Sequence, residues 1–167
     1  MGHPDEPDTT TREESLEVWL DADARAAGEA RAIAEDVASR LPAQLRDDVL
    51  LVTSELVANA VEHGSGDRVN LRLQVVEPSE DSDSDVGAIE VAVRNDLDGP
   101  DRPLPPRPWR MPDPQAVRGR GLAIVQSLAA RVRVDLEELE ENASTQGVRD
   151  STNRGPATVE IVASVGG

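Results

Sequence analysis

The sequence predicts an α/β fold, a two-layer sandwich in which a mixed β-sheet carries its helices on one face. Three observations predict it. Apolar residues alternate with period two at both ends of the chain and in its middle, two long stretches carry helical spacing, and no linker divides the 167 residues into two cores. A chain of this length makes one domain with a real core.

The elements follow in order. Residues 1–14 (MGHPDEPDTTTREE) are polar and acidic and hold two prolines, so a disordered tail is expected there, ahead of a single domain over 15–167. Leu16, Val18 and Leu20 alternate with Glu17, Trp19 and Asp21, the pattern of a half-buried strand. The alanine-rich stretch from Ala22 to Leu41 predicts a helix that Pro42 breaks. A second helix is expected from Ala43 to His63, stopped by Gly64 as a C-terminal glycine. Val69, Leu71, Leu73 and Val75 form the next strand face, and Ile89, Val91 and Val93 the one after, across the acidic loop Glu77–Asp85 (EPSEDSDSD). Seven of the twelve prolines lie between Pro100 and Pro114, too many for a helix or a central strand, so an extended loop is expected. Gly119–Gly121 opens a third helix ending near Ala130. Val132, Val134 and Leu136 make a fourth strand, and the polar loop Glu137–Pro156 leads to a last one through Val159, Ile161 and Ala163.

Composition narrows the chemistry. The chain has 33 acids against 17 bases, a net charge of −16, and every base is arginine. Without lysine there is no Walker-type phosphate loop, no Schiff base and no eukaryotic-type kinase lysine. Without cysteine there are no disulfides, thiol nucleophiles or cysteine-held metals. The acidity opposes a phosphate backbone, so direct nucleic-acid binding is not expected. No apolar run approaches the ~20 residues that span a bilayer, and the start lacks a signal-peptide core, so the expected location is the cytoplasm, off the membrane.

Three segments carry candidate chemistry. In the second helix Leu45, Val49, Val52, Leu56 and Ala60 share one apolar face, and Glu55 and Asn59 fall together on its margin, with His63 a turn further on. A solvent stripe has this look; so does the wall of a cleft, where a carboxylate orients an attacking hydroxyl and an amide oxygen completes the shell of Mg²⁺. Arg118-Gly119-Arg120-Gly121-Leu122 precedes an apolar helix. It reads either as plain loop geometry or as backbone N–H groups offered to an anion at the positive end of a helix dipole. The strand end Arg94-Asn95-Asp96, entering Leu97-Asp98-Gly99-Pro100, marks either a turn or the rim of a site.

Taken in order, these segments resemble the GHKL superfamily of ATP-binding domains, most closely the small actinobacterial branch related to anti-sigma-factor serine kinases. The match rests on Ser54-Glu55-Leu56-Val57-Ala58-Asn59-Ala60-Val61-Glu62-His63-Gly64 and on Gly119-Arg120-Gly121-Leu122-Ala123-Ile124-Val125. Gly155-Pro156-Ala157-Thr158-Val159 stands where the last motif is expected. The resemblance implies a Bergerat-type sandwich binding ATP and Mg²⁺. Glu55 would be the catalytic carboxylate and Asn59 the Mg²⁺ ligand. Gly119, Arg120, Gly121 and Leu122 would hold phosphates, with Thr158 near the adenine and residues 97–118, Gly99 among them, forming a lid. The adenine-reading aspartate of the family falls on Asn95, with Asp96 one residue later, so either is a candidate. The implied function is an anti-sigma factor with serine/threonine kinase activity toward an anti-anti-sigma protein. A catalytically inactive nucleotide-sensing or interaction module of the same fold is the alternative. A homodimer is implied too, with the edge strand at Leu16–Leu20 and its Trp19 as the candidate surface, and Trp109 either caps the nucleotide, anchors a partner or pins the lid to the core.

Overall fold

Five strands and three helices follow one another as β1 (Ser15–Asp21), α1 (Ala26–Ala38), α2 (Ala43–His63), β2 (Arg68–Val76), β3 (Ala88–Leu97), α3 (Gly121–Leu128), β4 (Arg131–Glu138) and β5 (Ala157–Val165). The computed structural model describes residues 15–76, 87–97, 109, 120–138 and 157–166. The expectations for the tail 1–14, the loop Glu77–Asp85, Gly99, Gly119 and the lid 97–118 (apart from Leu97 and Trp109) lie outside the described residues.

The sheet order is β1-β2-β3-β5-β4. Every neighbouring pair is antiparallel, which corrects the expected mixed sheet. The reason is topological. Two helices lie between β1 and β2, so the chain returns in the opposite sense. The single helix α3 brings β4 parallel to β3, but β5 inserts between them and runs against both.

Period-two alternation decides the two faces of the sheet. Val69, Leu71 and Leu73 of β2, Ile89, Val91 and Val93 of β3, and Val159, Ile161 and Ala163 of β5 join Val49, Val52, Leu56 and Ala60 of α2 in one buried core. All three helices pack on that side. The opposite face is polar, with Arg72, Arg94, Glu160 and Arg133 around the buried pair Ala92 and Val162. It bears ion pairs such as Arg72–Glu160 at 3.5 Å.

The first helix is shorter than expected. Asp23 accepts the Arg25 backbone N–H at 2.7 Å and the Arg25 guanidinium at 2.8 Å, so residues 22–25 form a turn that holds off the helix until Ala26. The Arg25 hydrogen bonds also hold the Asp23 carboxyl below its ordinary value. Ala26, Ala30, Ala34 and Ala38 then recur every fourth residue as one fully buried stripe, and their small side chains let α1 lie close against α2. No helix among the described residues is long and apolar enough to cross a membrane.

Candidate functional site

The second half of α2 borders two other elements. Glu55 and Asn59 emerge half-buried from the margin of its core face, one turn apart. The start of α3 meets it at Glu55. A Cβ on Gly121 would stand 2.6 Å from Glu55 Oε2, so the absence of a side chain at Gly121 is what admits the carboxylate. Ile124 is the first residue of α3 to donate back into the helix, to the Arg120 carbonyl at 2.9 Å. The backbone N–H groups of Gly121, Leu122 and Ala123 thus have no partner within the helix, at its positive end. An anion is favoured there, and Glu55 stands beside the spot. The Leu122 side chain is buried in the core and fixes this turn, while Arg120 is exposed at its entrance.

The far end of α2 meets the end of β3. Gly64 ends the helix as expected, with φ −75° and ψ 163°, an extended backbone open to any residue. What demands glycine is space. A Cβ would lie 2.5 Å from the Ala60 carbonyl oxygen and 2.7 Å from Asn95 Nδ2. Asn95 is buried on the helix side of β3, and its Nδ2 donates to the Asp96 carbonyl at 3.3 Å. That same carbonyl accepts the Ser65 N–H at 2.9 Å, which ties the turn after α2 to the strand. With Nδ2 so engaged, the Asn95 amide oxygen is the group left to accept a hydrogen bond from a ligand.

Glu55, Asn59, Asn95, Arg120, Gly121 and Leu122 are thereby gathered around one stretch of α2. Asp96 and Thr158 are not. The two are cross-strand partners, and the Thr158 hydroxyl donates to Asp96 Oδ1 at 3.2 Å. Alternation puts this pair on the sheet face away from the helices, where Asp96 is exposed. Neither shares the helix side with Asn95. The residue opposite Asn95 on β5 is Val159. Trp109 is buried in the core, and its backbone N–H donates to Gln126 Oε1 of α3 at 2.8 Å. His63 is exposed at the end of α2. Among the described residues, no three His, Cys, Asp or Glu side chains converge as a metal site.

The close approaches at Gly64 and Gly121 escape a reading of the sequence, because a glycine beside a helix end looks like an ordinary cap. The facing of Asn95 was within reach, since counting in twos from Val91 and Val93 puts it on the core side. Against this geometry, residues 20–146, well over half of the chain, match the family model of the histidine kinase-like ATPase domain. No curated protein matches the chain.

Proposed function

The chain belongs to the histidine kinase-like ATPase domain family, which supports ATP binding, and from that premise we propose that it is a cytoplasmic anti-sigma factor that phosphorylates a serine of an anti-anti-sigma partner. The observation that carries the catalytic part is the Glu55 carboxylate against Gly121, at the N-terminal end of α3. Phosphate oxygens would take the backbone N–H groups of Gly121 and Leu122, helped by the helix dipole and Arg120. The Asn95 amide oxygen would accept from the exocyclic amino group of adenine.

The donor set fits a metal that arrives with its nucleotide. With no convergent trio of acidic or histidine ligands among the described residues, Mg²⁺ would be held by the Asn59 amide oxygen together with the phosphates and water, the usual manner of this ion. Bound there, it would neutralise phosphate charge. In the transfer the serine hydroxyl oxygen bonds to the γ-phosphorus, the bond from that phosphorus to the β,γ-bridging oxygen breaks, and ADP departs. Glu55 orients the hydroxyl and takes its proton. Positioning and charge account for most of such catalysis, so no lysine is needed.

The experiment is transfer of label from γ-³²P-ATP to a serine of the partner protein. Absence of label in the presence of demonstrable ATP binding would favour the nucleotide-sensing reading, for which asparagine in place of aspartate at position 95 is the supporting observation. Gly121→Ala separates fold from chemistry. Its methyl group would fall 2.6 Å from Glu55 Oε2, the free end of a flexible side chain that swings aside at little cost, with Glu55 Cδ and Cβ at ordinary contact distance. The expected melting curve shows a stability change within about 1 kcal/mol. Transfer should fall steeply, because the displaced carboxylate no longer stands at the start of α3.

A further inference from the structure

Asn95 is the most deeply buried of the polar residues gathered around α2, at 7% exposure, and its two amide ends are held very differently. Nδ2 donates to the carbonyl of the next residue, Asp96, at 3.3 Å, the long end of such bonds. That carbonyl does not depend on Asn95, because the Ser65 N–H reaches it at 2.9 Å. Among the described residues, no donor reaches the Asn95 amide oxygen. Nor is that oxygen sealed off. Thr53 Oγ1 is the fully enclosed side-chain atom left without a partner among the described residues, so Asn95 Oδ1 is within reach of solvent. Room beside Nδ2 comes from Gly64, where a Cβ would lie 2.7 Å away.

A carboxylate at this position could only accept. An amide holds a donor and an acceptor at two ends of nearly the same shape, and a half-turn about its last side-chain bond exchanges them in place. The half-turn gives up the long bond to Asp96 and sets Oδ1 towards that carbonyl, where the Ser65 N–H stays bound and tempers the repulsion. Nδ2 is then the end offered to a ligand. Resting on the reading of this site as the nucleotide site with Asn95 at the base, we propose that it takes 6-keto purine nucleotides, the guanosine and inosine class, as well as ATP. In one amide orientation Asn95 accepts from a 6-amino group, and in the other it donates to a 6-keto oxygen. Preference for ATP is then set by about one net hydrogen bond, roughly tenfold in affinity. With a carboxylate in place of the amide, the keto oxygen would meet an acceptor that has no donor to turn towards it. Buried groups left unmatched in this way discriminate by about 10⁴.

Thermal unfolding of the full chain with three triphosphates that differ at purine position 6 tests the proposal. ATP carries an amino group there, inosine triphosphate a keto oxygen, and purine riboside triphosphate only hydrogen. From the concentration dependence of the melting shift, the inosine compound should bind within about tenfold of ATP. The 6-hydrogen compound should bind more weakly than either, since it gives the amide nothing to bond. Asn95→Asp should widen the preference for ATP over inosine triphosphate by about a hundredfold or more. Should that variant fail to fold, the wild-type series decides alone. An inosine nucleotide that binds no tighter than the 6-hydrogen compound would overturn the proposal, and so would a preference that Asn95→Asp leaves unchanged. A shift with none of the three would overturn the ATP reading itself, and this proposal with it.

Discussion

Glu55→Gln is expected to cut phosphoryl transfer by about 10²–10⁴, the usual contribution of a placed general base, while ATP binding persists. The amide keeps the size of the side chain and its place against Gly121, but it cannot take the serine proton. The two readouts are labelled partner and thermal stabilisation by ATP, measured on the same preparation. Loss of both would make Glu55 a structural member of the α2–α3 contact. Unchanged transfer would remove it from the chemistry.

Gly64→Ala is the opposite case, with the larger effect on the fold. The new methyl group would fall 2.5 Å from the Ala60 carbonyl oxygen and 2.7 Å from Asn95 Nδ2. The carbonyl is helix backbone that already accepts the Gly64 N–H at 2.8 Å, so it cannot retreat without loosening the last turn of α2. Asn95 is buried and engaged with the Asp96 carbonyl, so it has little room either. Overpacking of this kind costs about 1–3 kcal/mol, to be read from denaturant unfolding of the variant against the wild type. ATP affinity should fall as well, since Asn95 must turn. A variant of unchanged stability would mean that the turn from Gly64 to Asp67 shifts freely. The contrast with Gly121→Ala is instructive, because there the methyl group meets a side-chain tip and here it meets backbone.

Element types and order were legible in the sequence because each strand carries its own alternation and each helix its own apolar stripe. The segment from Leu45 to Ala60 is the clearest instance, and Glu55 and Asn59 stand out only against that background. Strand direction was less legible. The segment β3–α3–β4 reads as a parallel pair, and only the placement of β5 between them, a long-range choice, makes every contact antiparallel. The site was readable where it depends on one element and obscure where it depends on two. That Glu55 meets Gly121, and Gly64 meets Asn95, follows from packing across 31 to 66 residues of chain, for which local pattern holds no record. Asp96 stands one residue past the position where the family's aspartate falls, and it and Thr158 face the other side of the sheet from Asn95.

We propose that Mg-ATP binds where Glu55 and Asn59 of α2, Asn95 of β3 and the start of α3 come together. Thermal unfolding with ATP, with and without Mg²⁺, on the wild type and on Asn59→Ala, tests it most directly. At 100 times its dissociation constant, ATP should stabilise the wild type by about 2.7 kcal/mol. In Asn59→Ala the part of that gain that depends on Mg²⁺ should disappear. A wild type whose melting temperature does not move at millimolar Mg-ATP would contradict the account.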